Sequence, residues 1–158
     1  MTILTTGQTV PDFSAESTDG SLFSLAAQRG SVLVLFFYPR DNTPGCTREN
    51  QDFRDLKPEF DALGVQLYGI SRDSLKSHAR FCEKQALNFP LLSDESESVC
   101  TLFDVMREKN MYGKKVRGIE RSTFLIGSEG ELAAVWRKVN VEGHAAEVLE
   151  ACRKLCSQ

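Results

Sequence analysis

The sequence contains no Cys-x-x-Cys pair and only two histidines, His78 and His144. It therefore offers neither a dithiol motif nor the paired Cys/His spacing of a structural zinc site. Two histidines so isolated argue against any metal site, and no bound cofactor is expected. The longest apolar run, Val32 to Tyr38, is far too short to cross a bilayer. The polar, mixed start from Met1 to Val10 reads as neither signal peptide nor anchor. A cytoplasmic location with reduced thiols is expected, with no membrane partner. The net charge of −3, with basic residues interspersed among acids, lacks the basic face that nucleic acid demands. Five cysteines, at 46, 82, 100, 152 and 156, make an odd number and no disulfide framework. Repeats, low-complexity tracts and linkers are missing too, so residues 1–158 are expected to form one domain.

What is present alternates between strand and helix. Phe13 to Glu16 and Leu22 to Ser24 flank Asp19-Gly20, a hairpin signal. Ser31 to Tyr38 reads as a strand buried on both faces. A helix is expected to begin with Thr43 as cap and Pro44 at its first position, where a missing N–H costs nothing. Phe53, Leu56, Phe60 and Leu63 form its inward stripe, and Gly64 ends it. Val65 to Ser71 predicts a strand and Leu75 to Ala86 a helix capped by Asp73 or Ser74. Phe89 to Leu92, a short helix over Glu97 to Val105, and a hairpin of Ser122–Ile126 with Leu132–Trp136 follow. Gly143 to Cys156 closes the chain as an amphipathic helix. This order predicts an α/β thioredoxin-like fold: a central mixed sheet, helices on both faces and an N-terminal β-hairpin.

Cysteine chemistry is then the question. The thiolate is the nucleophile, yet an ordinary thiol with a pKa of about 8.5 is only about 3% ionised at pH 7. Raising that to mostly thiolate takes roughly 3 kcal/mol, at about 1.36 kcal/mol per unit. Unpaired N–H groups at a helix N-terminus supply part of this, and a nearby arginine and hydrogen bonds must supply the rest. Cys46 would sit third in the helix that Thr43 caps, on the inward stripe seven residues before Phe53, and partly shielded. Gly45 leaves room for close approach beside it. Taken alone, a cysteine after a Pro/Gly turn is as readily a buried structural residue.

The segment Phe37-Tyr38-Pro39-Arg40-Asp41-Asn42-Thr43-Pro44-Gly45-Cys46-Thr47-Arg48-Glu49 resembles the peroxiredoxin signature Pro-x-x-x-Thr-x-x-Cys. Its Thr-Pro-Gly-Cys-Thr form is similar to the peroxiredoxin Q, or bacterioferritin comigratory protein, subfamily. The likeness runs from Gly7-Gln8-x-x-Pro11-Asp12-Phe13 to Trp136-Arg137-Lys138-Val139. It implies a thiol peroxidase in which Cys46 attacks the peroxide and becomes a sulfenic acid. Thr43 matches the threonine that bonds thiolate and peroxide, and Pro39 the proline that shields the sulfur. Arg121 matches the arginine that stabilises the thiolate, and Glu49 the acid that orients it.

Many members of that subfamily carry a resolving cysteine five residues after the peroxidatic one, where this chain has Gln51. The chain resembles the other version, with Cys82 on the following helix as the resolving residue. Cys82 falls in line with Leu75, His78 or Ala79, and Ala86; read by itself it could be a small buried hydrophobe. A disulfide needs Cα atoms within about 7 Å, so local unwinding of one or both helices is expected. Cys100 reads as structural, and Cys152 and Cys156 share the inward stripe of the last helix with Val148, Leu149 and Leu155. The resemblance further implies hydroperoxide substrates, a thioredoxin or similar dithiol reductant, and a monomer. A thiol–disulfide oxidoreductase would need the missing Cys-x-x-Cys; a non-catalytic thioredoxin-fold module would leave Cys46 inert.

Overall fold

The computed structural model describes residues 4–157, so Met1–Ile3 of the polar start lie outside it. A seven-stranded sheet runs in the order β2-β1-β5-β4-β3-β8-β9. Its strands are β1 (Ser14–Ser17), β2 (Leu22–Ser24), β3 (Leu33–Phe37), β4 (Gln66–Ser71), β5 (Leu91–Ser93), β8 (Ser122–Ile126) and β9 (Leu132–Trp136). β3, β4 and β5 pair in parallel, while β8 runs antiparallel to β3, so the sheet is mixed. The helices are α1 (Pro44–Ala62), α2 (Leu75–Gln85), α3 (Ser98–Leu102) and α4 (His144–Cys156).

β3 explains the layering. All five of its residues are buried, and successive side chains point to opposite faces. Val34 and Phe36 meet Phe53 and Phe60 of α1, Phe81 of α2 and Val148 of α4. Leu33, Leu35 and Phe37 meet Val99 and Cys100 of α3, with Phe103 and Phe124. Helices thus cover both faces, and the fold is the thioredoxin-like one expected. The N-terminal hairpin β1–β2 extends this sheet by pairing with β5.

Pro58 lies inside α1 and forfeits an amide bond there. The Asn88 side-chain amide donates to the Arg54 carbonyl at 3.1 Å, four residues before it, and so fills the vacancy. Of the two candidate caps for α2, Ser74 serves, accepting from the Ser77 amide at 3.1 Å.

Two expectations need correction. The helix over Glu97 to Val105 shrinks to five residues, α3, because the chain turns left-handed at Asp104 (φ 54°). A hairpin the sequence reading missed then follows: β6 (Met106–Met111) and β7 (Lys114–Ile119), paired only with each other among the described residues. Both strands are mostly exposed, so no apolar alternation betrayed them. The signal available was Tyr112-Gly113, which takes the doubly left-handed turn (φ 53° and 77°) of a two-residue hairpin loop. No helix among the described residues is long and apolar enough to cross a membrane.

Candidate active site

The site lies where β3 ends and α1 begins. Tyr38 continues β3 into the core, a loop over residues 39–43 reverses the chain, and Asn42 supplies the left-handed step (φ 63°). Thr43 is the N-cap by backbone position, and Pro44, Gly45 and Cys46 open the helix, as the spacing predicts. The side-chain part of the capping expectation fails. The Thr43 hydroxyl donates to the Arg40 carbonyl at 2.8 Å instead of capping a helix amide or bonding Cys46. Its oxygen keeps free lone pairs for an incoming donor. Pro39 is half-buried at the start of the loop.

Cys46 is more enclosed than expected, only 1% exposed and part of the core facing α1, α2 and α4. The Asn50 side chain donates to the Cys46 carbonyl at 2.9 Å, bracing the first turn. Across the sheet, Phe37 pairs with Ser122 in antiparallel register. Arg121, one residue earlier, therefore arrives beside the end of β3, and its carbonyl accepts from the Val139 amide at 3.0 Å. Its guanidinium forks: Nη2 donates to Cys46 Sγ at 3.4 Å and Nη1 to Glu49 Oε1 at 2.6 Å. Gly45 permits this, since a Cβ there would lie 3.2 Å from Arg121 Nη2. The structure thus gathers Cys46, Glu49 and Arg121 within contact, with Thr43 and Pro39 on the adjoining loop.

Burial governs the electrostatics. Glu49 is 1% exposed, and burial pushes its carboxyl up to about 7 against the pull of Arg121. Its second oxygen, Oε2, has no hydrogen-bond partner among the described residues. Burial opposes the charge of Arg121, but Glu49 and Cys46 outweigh it and hold the guanidinium above its usual value. Arg121 is therefore a fixed cation aimed at sulfur, in a site with little water to screen it.

The other cysteines sort by environment, and all five are free thiols here. Cys82 is half-buried on α2; burial raises its pKa, partly offset by the Thr18 hydroxyl at 3.9 Å. Cys100 is buried beside Asp94, and burial drives its thiol far up. Cys152 is buried and pushed up to about 12, by burial and by Cys156. Cys156 does not share the inward stripe: it is exposed at the end of α4. Gln51, at the alternative resolving position, donates to Gln85 of α2 at 2.9 Å.

The histidines are not isolated, contrary to the sequence reading. The fold brings His78 against Asp41 at 2.8 Å, and the ligand atoms of His78, Asp41 and Asp73 lie within 4.8 Å of one another. His144 Nε2 lies 2.7 Å from the Thr123 hydroxyl. No spacing in the sequence signals the Asp41–His78 pair, whose members are 37 residues apart.

A cysteine sulfur at a helix head, in contact with an arginine braced by a buried acid, is an arrangement suited to cysteine-based redox chemistry on a thioredoxin-like fold. The AhpC/TSA family matches residues 6–135, and the chain belongs to that family, the peroxiredoxins. Its relatives narrow this to the peroxiredoxin Q, or bacterioferritin comigratory protein, type. Peroxiredoxin Bcp of Xanthomonas campestris is 52% identical over 93% of this chain and 92% of its own. Peroxiredoxin Bcp of Bacillus subtilis is 44% identical over 94% and 95%. The X. campestris bacterioferritin comigratory protein, described for its alkyl peroxide reduction activity, superposes with a TM-score of 0.87. It shares 51% identity over 91% of this chain and 92% of that one. A cysteine-to-serine variant of Xylella fastidiosa PrxQ gives a TM-score of 0.91 at 41% identity, covering 98% of each chain. The chain is accordingly a peroxidase.

Proposed function

We propose that Cys46 reduces hydrogen peroxide and organic hydroperoxides and is then resolved by Cys82 in an intramolecular disulfide. The observation that carries this reading is the Arg121 guanidinium, donating to Cys46 sulfur while Glu49 grips its other arm. The sulfur electron pair attacks the terminal peroxide oxygen; the S–O bond forms as the O–O bond breaks. Sulfur is oxidised to sulfenic acid, and the departing alkoxide or hydroxide takes a proton to leave as alcohol or water. Arg121 and the first-turn amides of α1 are already oriented toward the charge that develops. Thr43, its proton spent on Arg40, accepts from the peroxide O–H. Pro39 screens the sulfur from bulk water.

The Cys82 thiol then condenses with the sulfenic acid, forming the S–S bond and releasing water. Cys82 is a poor nucleophile where it lies, because burial raises its pKa. Local opening of α2 relieves that burial and closes the distance, at less cost than global unfolding. A thioredoxin-like dithiol protein returns the two electrons by attacking the disulfide. The chain works as a monomer in the cytoplasm. The test is a mass map after one equivalent of peroxide. Wild type should give a Cys46–Cys82 bridge, and Cys82→Ser a trapped sulfenic acid at Cys46. A bridge to Cys100 would overturn the resolving assignment; an unmodified Cys46 would overturn the whole reading.

A further inference from the structure

Behind the Cys46 loop lies a buried polar network that the chemistry above does not use. Asp41, in that loop, accepts from the Tyr38 hydroxyl at 2.6 Å and the Ser77 hydroxyl at 2.8 Å. Its Oδ2 also lies 2.8 Å from His78 Nδ1. The other ring nitrogen of His78, Nε2, lies 2.8 Å from the Leu92 carbonyl. Both ring nitrogens of His78 are thus engaged, one by a carboxylate and one by a backbone carbonyl. The pair joins side chains only 0% and 1% exposed. Burial pushes the Asp41 carboxyl up, but His78 first, then the hydrogen bonds from Tyr38 and Ser77, hold it below its ordinary value.

A cation is a poor occupant of this cluster. Asp73 Oδ2 already accepts from the Asp41 amide and the Ser71 hydroxyl, and both His78 nitrogens are engaged. What the network does is mechanical: it joins the loop before Cys46 to the first turns of α2. Cys82 stands one helical turn beyond His78, so opening the Cys82 turn surrenders the helix bond to the His78 carbonyl. The far end of α2 is held by lighter contacts, from Gln51 at 2.9 Å and Arg54 at 2.8 Å, both to Gln85.

We propose that the Asp41–His78 pair is a latch for the resolving step, holding the Cys46 loop and the Cys82 helix together until the sulfenic acid is made. Both are positioning residues. The inference rests on the Cys46–Cys82 reading. An interaction made only in the closed dithiol form favours that form. Removing it shifts the thiol–disulfide equilibrium toward the disulfide and speeds its formation, without touching the attack on peroxide.

The experiment compares wild type, Asp41→Asn and His78→Gln by rapid mixing with hydrogen peroxide. Three quantities are read: Cys46 oxidation rate, rate of subsequent disulfide formation, and equilibrium against a dithiothreitol redox buffer. Asp41→Asn retains the shape of the site and guards against loss of folding in His78→Gln. Cys46 oxidation should stay within about twofold. Disulfide formation should quicken at least about fivefold, and the equilibrium should move about tenfold toward disulfide, roughly 30 mV for a two-electron couple. A purely structural role would lower the melting temperature and leave the potential alone. A Cys46–Cys82 bridge in wild type, with potential and resolving rate unchanged in both variants, overturns the latch alone. A wild-type bridge elsewhere overturns the latch together with the resolving assignment.

Discussion

Replacing Gly45 by alanine sets helix stability against the grip of Arg121 on sulfur. Gly45 is the second residue of α1 and is not among the left-handed glycines, so alanine fits its backbone. Glycine is worse than alanine inside a helix by up to about 1 kcal/mol, and the folded state should gain a fraction of that. The new methyl, however, would sit 3.2 Å from Arg121 Nη2, inside comfortable contact. Nη2 is the atom that donates to Cys46 at 3.4 Å, already a long bond. Glu49 pins the opposite nitrogen at 2.6 Å, so the guanidinium yields by swinging Nη2 off sulfur. Hydrogen bonds to charged groups contribute about 1.5–3 kcal/mol. Losing about 1.4 kcal/mol of that predicts about a tenfold fall in kcat/KM, at roughly 1.4 kcal/mol per decade. Peroxide consumption with an excess dithiol donor measures the first quantity, and thermal unfolding the second. Gly45→Ala should melt at or above wild type while turning over about ten times more slowly. Full activity at unchanged or raised melting temperature would refute the claim that Nη2 acts on Cys46.

Glu49 and His144 should shape stability in opposite directions as pH changes. Glu49 is raised from 4.5 to about 7 by burial, so between those values the folded protein keeps a proton that the unfolded chain releases. Its contribution therefore falls as pH rises through that window, by up to about 3 kcal/mol. His144 is lowered from 6.5 to about 4, chiefly by burial, so its contribution is lost as pH falls. Urea midpoints should show Glu49→Gln losing stability toward acid relative to wild type, and His144→Gln losing it toward neutral pH; parallel profiles would refute both assignments. At Gly69, an added Cβ would lie 2.7 Å from Leu91 Cδ2 and 2.8 Å from Phe36 Cζ. Gly69→Ala should cost about 1–3 kcal/mol by overpacking, and an unchanged denaturation midpoint would show that the core yields there.

Most elements were legible because their signals are local. The unbroken apolar run of β3 could be buried only on both faces, and it feeds two separate cores. The α1 stripe of Phe53 and Phe60 came out buried, with Leu56 and Leu63 packed at its margin. The β6–β7 hairpin escaped because exposed strands need no alternation, and the helix over Glu97 to Val105 was overextended for want of a breaker at Asp104. Cys156 was misplaced because position on a helix stripe says nothing about where the covering layer stops.

The sequence by itself determined the alternation of elements, the head of α1 and the place of Cys46 in its first turn. These depend on residues within a few positions of one another: Thr43, Pro44 and the periodic phenylalanines. Only the tertiary structure decided which charges meet. Arg121 reaches sulfur because β8 pairs with β3 in one register, 75 residues away along the chain. Asp41 meets His78 because the Cys46 loop and α2 leave the same end of the parallel strands β3 and β4. Contact between distant residues is set by packing and strand register, and neither leaves a mark in local spacing.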